Sequence, residues 1–211
     1  MPEPRLRLLD LFCGGGGAAM GYHRAGFDVV GVDNKPQPNY PFRFIREDAL
    51  ESLETLMGLW GAGIPFEAIH ASPPCEHYAN VTAWRGDQAD HPDLIADVRD
   101  LLEQTGLPYV IENVPEAPIR RDLRLCGTAF GLPIRRHRAF ETNWQVGLVP
   151  QCQHRPDDYA FDHGGKQRES VYRAAMGCEW MTVLESRDAI PPAYTEFIGA
   201  ALLAHLNAVA A

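Results

Sequence analysis

Residues 6–33 set an apolar run, a glycine cluster, a helix-like stretch and a second apolar run ending in an acid, in that order. Leu6 to Phe12 reads as a buried strand entering the turn Cys13-Gly14-Gly15-Gly16-Gly17. Ala18 to Ala25 reads as a helix stopped by Gly26, and Asp28 to Val32 as a second strand ending in Asp33. Few folds accept that order. It is the first half of a doubly wound, mostly parallel α/β sheet, in which ligands bind along the carboxyl edge of the strands.

The pattern continues along the chain. Phe44-Ile45 is a third strand, ending in Glu47-Asp48, and residues 51–60 read as a helix. Glu67 to Ala71 is a fourth strand running into Ser72-Pro73-Pro74-Cys75. Pro92 to Gln104 is a helix with Leu94, Val98, Leu101 and Leu102 inward, and Pro108 to Ile111 is a fifth strand ending at Glu112. Leu123 to Phe140 suggests short antiparallel strands, and residues 141–168 are polar and loop-like. Ser170 to Met176 and Pro192 to Val209 close the chain as helices. Phe12, Asp33, Asp48, Cys75 and Glu112 therefore all fall at the carboxyl ends of expected strands. Helix capping explains each acid singly but explains the whole series poorly.

A length of 211 residues suits one well-buried domain. No apolar run reaches bilayer length, and the first residues lack the apolar stretch of a signal peptide. The five scattered cysteines fit a reducing compartment, so a cytoplasmic protein is expected. A net charge of −9 argues against a nonspecific nucleic-acid coat, yet residues 120–138 hold six arginines against Asp122 alone. Such a strip suits a phosphate backbone or an ordinary solvated surface.

Several residues carry recognisable chemistry. Gly14 and Gly16 would let the backbone approach a ligand closely, and Asp33 is placed to bind ribose hydroxyls. No Gly-Lys-Ser/Thr follows the turn, which excludes an ATP phosphate loop. Pro73 and Pro74 stiffen the presentation of Cys75, whose bland alternative is a small buried hydrophobe. Glu112 is suited to protonating a ring nitrogen beside a ring-attacking thiol. Arg136 and Arg138, two apart, are expected on the same side of one strand. Cys126, Cys152, His154, His163 and Cys178 offer zinc ligands, but without a two- to four-residue knuckle no metal site is assigned.

Asp10-Leu11-Phe12-Cys13-Gly14-Gly15-Gly16-Gly17, Pro74-Cys75, Glu112-Asn113-Val114, Arg136-His137-Arg138 and Ala189-Ile190-Pro191-Pro192 resemble, in order, the motifs of the cytosine-C5 DNA methyltransferases. The resemblance covers residues 6–140 and 185–205. It implies a Rossmann-like, S-adenosylmethionine (SAM)-dependent fold acting on a cytosine flipped out of double-stranded DNA. It further implies that Cys75 adds to C6, Glu112 engages N3 and the amine, Arg138 contacts O2, and Arg136 supports the site. On the cofactor side it implies Phe12 against adenine, Asp33 on ribose and Asp48 on the adenine amine. Gly14, Gly16, Pro74 and Asp188 complete that set, and residues 76–90 would be a loop that closes over DNA.

The chain departs from the family at Glu76 and Ile134, where the family has glutamine, and at Asp188, where it has asparagine. Residues 1–140 are read as the catalytic domain, 141–184 as a short target-recognition segment, and 185–211 as the closing motif and helix. That small segment resembles compact, phage-type members, acting as monomers with relaxed specificity or with a separate specificity partner. It leaves RNA or a free cytosine nucleotide as an alternative substrate, and a catalytically silent binder as another reading.

Overall fold

The apolar run at residues 7–11 forms β1 (Arg7–Leu11), and the glycine turn after it opens α1 (Gly17–Ala25). A computed structural model describes residues 4–60, 63–79, 87, 89, 91–160 and 169–210. The chain continues through β2 (Asp28–Asp33), β3 (Arg43–Arg46), α2 (Ala49–Trp60), β4 (Ala68–Ala71), α3 (Ile95–Thr105) and β5 (Tyr109–Asn113). There follow β6 (Leu123–Leu125), β7 (Ile134–Arg135), β8 (Arg138–Thr142), β9 (Tyr159–Ala160), α4 (Glu169–Met176), α5 (Val183–Asp188) and α6 (Pro192–Ala210).

Seven strands form one sheet in the order β3-β2-β1-β4-β5-β8-β6. Pairing is parallel from β3 to β5 and antiparallel where β8 joins β5 and β6. This is the expected doubly wound α/β sheet, with an antiparallel return that the residues after Leu123 had suggested. The β7–β9 ribbon, paired in parallel, is separate from it and was not anticipated.

The pleat explains the layers, because successive residues of a strand face opposite sides. Leu9 and Leu11 of β1, with Val30, Val32, Ile69 and Ile111, pack against α2 and α3 through Leu53, Ile95, Val98 and Leu102. Leu8, Val29, Ala68, Val110 and Phe140 face the other way, onto Tyr22 of α1 and Tyr194, Ile198 and Leu202 of α6. The helices α1 and α6 approach closely at Gly21, where a Cβ would lie 2.2 Å from the Pro192 carbonyl oxygen. No helix among the described residues is long and apolar enough to cross a membrane.

Candidate functional site

Because β1 to β5 run parallel, their carboxyl ends meet at one edge, and Phe12, Asp33, Asp48, Cys75 and Glu112 lie at or just beyond those ends. The turn after β1 is strained. Phe12 has φ +58°, a backbone state rare outside glycine, asparagine and aspartate. Gly14 (φ +49°) has open space where a Cβ would project, so the turn leaves a bare backbone cradle. Gly16 (φ +86°) has Tyr40 and Pro41 packed where its Cβ would stand. Asp33, the last residue of β2, accepts from the Gly14 N–H at 3.0 Å and the Lys35 N–H at 2.8 Å, which ties the cradle to β2. Asp48 caps α2, accepting from the Leu50 N–H at 2.9 Å.

Asp10 carries no side-chain role in the sequence reading. It is fully buried beneath the start of α1, and neither carboxyl oxygen makes a hydrogen bond of good geometry. Burial, then the charge of Asp33, push its pKa well above the ordinary carboxylate range, while the Ala19 backbone opposes the shift.

Cys75 follows β4, and Glu112 is the penultimate residue of the neighbouring β5. The Asn113 side-chain amide donates to the Pro73 carbonyl at 2.9 Å, fixing the double-proline loop to β5. Cys75 is half-buried, and the charges acting on its thiol are Arg138, Glu112, Glu76 and Arg136. Burial raises its pKa, Arg138 and Arg136 lower it, and the two glutamates raise it. Arg138 Nε approaches Glu112 Oε1 at 2.9 Å, off the hydrogen-bonding direction. Burial nevertheless outweighs Arg138 and Arg136 and raises the Glu112 pKa, which favours a carboxyl able to hold a proton.

The two arginines do not share a strand. β7 ends at Arg135 and β8 begins at Arg138, so Arg136 sits in the connector, buried at 3% exposure. The reversal between strands breaks the alternation that the spacing implied. Arg136 donates to the Arg187 carbonyl at 2.6 Å and to the Tyr172 hydroxyl at 3.3 Å, while the Tyr194 hydroxyl donates to its own carbonyl. It thereby links the β7–β8 connector to α4, α5 and α6. Asp188 closes α5 with much of its surface exposed. Packing around its carboxyl raises the pKa against the pull of Arg136, and Glu76, Lys35 and Arg138 are its other charged neighbours.

A hydrogen-bonded chain beneath Glu112 also went unread in the sequence. The Tyr22 hydroxyl lies 3.0 Å from His70 Nδ1, His70 Nε2 lies 2.8 Å from Ser72 Oγ, and Ser72 bonds Glu112. His70 is fully buried, and burial lowers its pKa to about 3, so the ring is neutral. One set of donors satisfies every link: Tyr22 to His70, His70 to Ser72, and Ser72 to Glu112. The available signal was a polar residue inside an apolar strand, both in Leu-Leu-Asp10-Leu and in Ala-Ile-His70-Ala.

The arginine strip is largely consumed internally. Arg120 pairs with Glu141 and Asp122, Arg135 with Asp158 and Arg138 with Glu112, while Arg136 is buried. Arg121 and Arg124 are exposed. Of the expected closing loop, residues 80–86, 88 and 90 lie outside the described residues. A cavity of about 750 Å³ lined by Tyr109, Arg120 and Trp144 lies at the amino end of β5, away from Cys75.

The sequence profile described as C-5 cytosine-specific DNA methylase matches residues 6–122. The chain belongs to that family. A relative, the Type II methyltransferase M.AgeI of Thalassovita gelatinovora, is 24% identical over 119 residues, which span 52% of this chain and 28% of that protein. Among solved structures, the S. pombe Dnmt2 methyltransferase superposes with a TM-score of 0.60 at 14% identity, over 97% of this chain and 100% of that one. The Entamoeba histolytica methyltransferase EhMeth gives 0.57 at 11% identity, over 99% and 100%. These two show that the chain has the α/β fold of methyltransferases.

Members of this methylase family use SAM. The strained Phe12, the open cradle at Gly14 and the acid-bearing strand ends fit such a cofactor. Alkylation of Cys75 by iodoacetamide, followed by peptide mass spectrometry across pH, is expected to show a midpoint above the ordinary thiol value. Arg138→Ala removes the strongest lowering charge and moves that midpoint further up. A midpoint below the ordinary value, or a downward move in Arg138→Ala, contradicts this electrostatic account.

Proposed function

We propose that the chain transfers a methyl group from SAM to C5 of cytosine in DNA, through a covalent Cys75 adduct on a flipped-out base. The observation that carries this reading is the convergence of Cys75, Glu112 and Arg138, with Arg136 beside them. Cys75, having given its proton to solvent, attacks C6 as thiolate while protonated Glu112 delivers a proton to N3, so the ring's electrons collect at C5. Arg138 holds O2 while keeping Glu112 in place, and Arg136 braces the connector. SAM supplies the electrophilic methyl group that C5 takes up. Loss of the C5 proton to a base then breaks the C6–S bond, Cys75 leaves as thiolate, and the N3 proton returns to Glu112.

On the cofactor side, Phe12 would stack on adenine, the open cradle at Gly14 would admit the methionine portion and Asp33 would accept from ribose, whereas Gly16, with Tyr40 and Pro41 packed against it, would shape the turn rather than touch the ligand. Asp48, Pro74 and Asp188 would complete that set. Residues 1–140 would be the catalytic unit, 141–184 the target-recognition segment and 185–211 the closing piece. The matched stretch is 28% of the curated relative's length, so double-stranded DNA as partner is part of the proposal.

The test is incorporation of labelled methyl from SAM into duplex DNA, RNA and dCMP, with nucleoside analysis of the product. We expect 5-methylcytosine in duplex DNA. Product confined to RNA or dCMP selects the alternative substrate, which the brevity of residues 141–184 favours. Absence of product on all three, with no covalent adduct on 5-fluorocytosine DNA, overturns the enzymatic reading.

A further inference from the structure

We infer that Cys126, His137, Cys152 and His154 form a structural zinc site that joins residues 152–154 to the Arg136-His137 connector. Their ligand atoms all lie within 4.8 Å of one another. Cys126 Sγ is 3.4 Å from His154 Nε2, and Cys152 Sγ is 3.8 Å from His137 Nε2. The two imidazoles meet edge to face with centroids 5.2 Å apart. A tetrahedron with Zn–S near 2.3 Å and Zn–N near 2.0–2.1 Å has edges of about 3.3–3.8 Å. The two measured sulfur–nitrogen distances fall at that scale, and all three described cysteines outside the catalytic loop and glycine turn are free thiols.

Two thiol–imidazole hydrogen bonds would explain each pair separately, but they do not require all four groups to converge. The second observation is the segment that carries two of the ligands. Residues 151–157 are exposed throughout and contribute no residue to any of the three apolar cores. Its links to the rest include the Gln153 N–H bond to Thr128 Oγ1 at 3.2 Å, the Arg135 contacts to Arg155 and Asp158, and the short β7–β9 pairing. Such a segment gains little burial to offset the entropy of ordering it, and a metal is a common substitute for a core. Two cysteines and two histidines with no open position suit Zn²⁺ in a structural role, the thiols losing their protons on binding.

The ligand set differs from the one weighed in the sequence. Cys178 is buried in a separate cluster with Ile134 and Met176, and His163 lies outside the described residues. His137 was missed because its spacing from Cys126 matches no short knuckle. Its place between the two site arginines means the metal would brace the connector that holds them.

The test is zinc content of the full chain after exhaustive dialysis, with cobalt(II) substitution as a spectroscopic readout. We expect one metal per chain, thiolate-to-cobalt charge transfer and tetrahedral d–d absorption. Cys126→Ser and His154→Ala weaken binding by at least about 100-fold, since four ligands share the binding free energy. Cys75→Ser retains the metal, which separates this site from the proposed reaction. His154→Cys restores a ligand and retains metal, which separates ligation from folding. Metal-free wild type, or retention by Cys126→Ser equal to that of Cys75→Ser, overturns the site. A Cys126–Cys152 disulfide in protein that takes up no metal after reduction does the same.

Discussion

Cys75→Ser lowers methyl transfer by at least about 10³-fold while SAM binding stays within roughly twofold of wild type. The serine hydroxyl is nearly isosteric but far less nucleophilic, and its proton is held well beyond the reach of the nearby arginines. The loop itself should survive, because its anchor is the Pro73 carbonyl bonded to Asn113, a contact that does not involve the thiol. Single-turnover incorporation of labelled methyl measures the rate, and calorimetric titration with SAM measures the binding. Activity above a tenth of wild type would remove Cys75 from the role of nucleophile. On the proposed mechanism, adding Glu112→Gln to Cys75→Ser should cost little more, because thiol and carboxyl would act on the same adduct and their losses would not be additive.

Glu141→Ala destabilises the fold by about 3 kcal/mol, at the lower end of the range for a broken buried ion pair. Glu141 lies on β8 with a side chain at 0% exposure. It accepts from Arg99 Nε and its terminal nitrogen, both at 2.8 Å, and from the Arg120 N–H at 2.8 Å. That bidentate pair joins α3 to the returning strand. The lower end applies because Arg99 and Arg120 reach solvent, at 23% and 49% side-chain exposure, and can rehydrate. Urea unfolding should show the midpoint falling by roughly 1 M with an unchanged slope.

The pH dependence follows from the same contacts. Burial pushes the Glu141 carboxyl up, but Arg99, the Arg120 backbone and both guanidinium charges together hold it below its ordinary value of 4.5. A depressed folded pKa means the stabilisation is complete above the unfolded value and is lost as pH falls through the folded one. The gap between wild type and Glu141→Gln should therefore be constant near neutrality and narrow from about pH 4.5 downward. A gap that widens in acid would show that the ion pair is not its source.

The elements of the central sheet were legible because each declares itself locally. Strand, glycine turn, helix and strand over residues 7–33 follow from apolar periodicity and from glycines that tolerate positive φ. Cys75 and Glu112 were legible for the same reason, since a parallel sheet brings its strand ends to one edge. Arg136 was misplaced because nothing local marks the two-residue connector between β7 and β8. The Tyr22–His70–Ser72 chain was hidden because its members come from α1, β4 and the loop after it, and only packing makes Tyr22 and His70 neighbours.

By itself the sequence determined the parallel sheet, the glycine turn after its first strand and the order of the groups proposed to react, all of them products of short-range stereochemistry. The tertiary structure alone decided which charges and ligands meet. Arg99 finds Glu141, and Cys126 finds His154, only because β8 turns back antiparallel and the following segment folds against its connector. Contacts between groups so far apart in the chain depend on the energy of the whole packed molecule, and no local pattern records that energy.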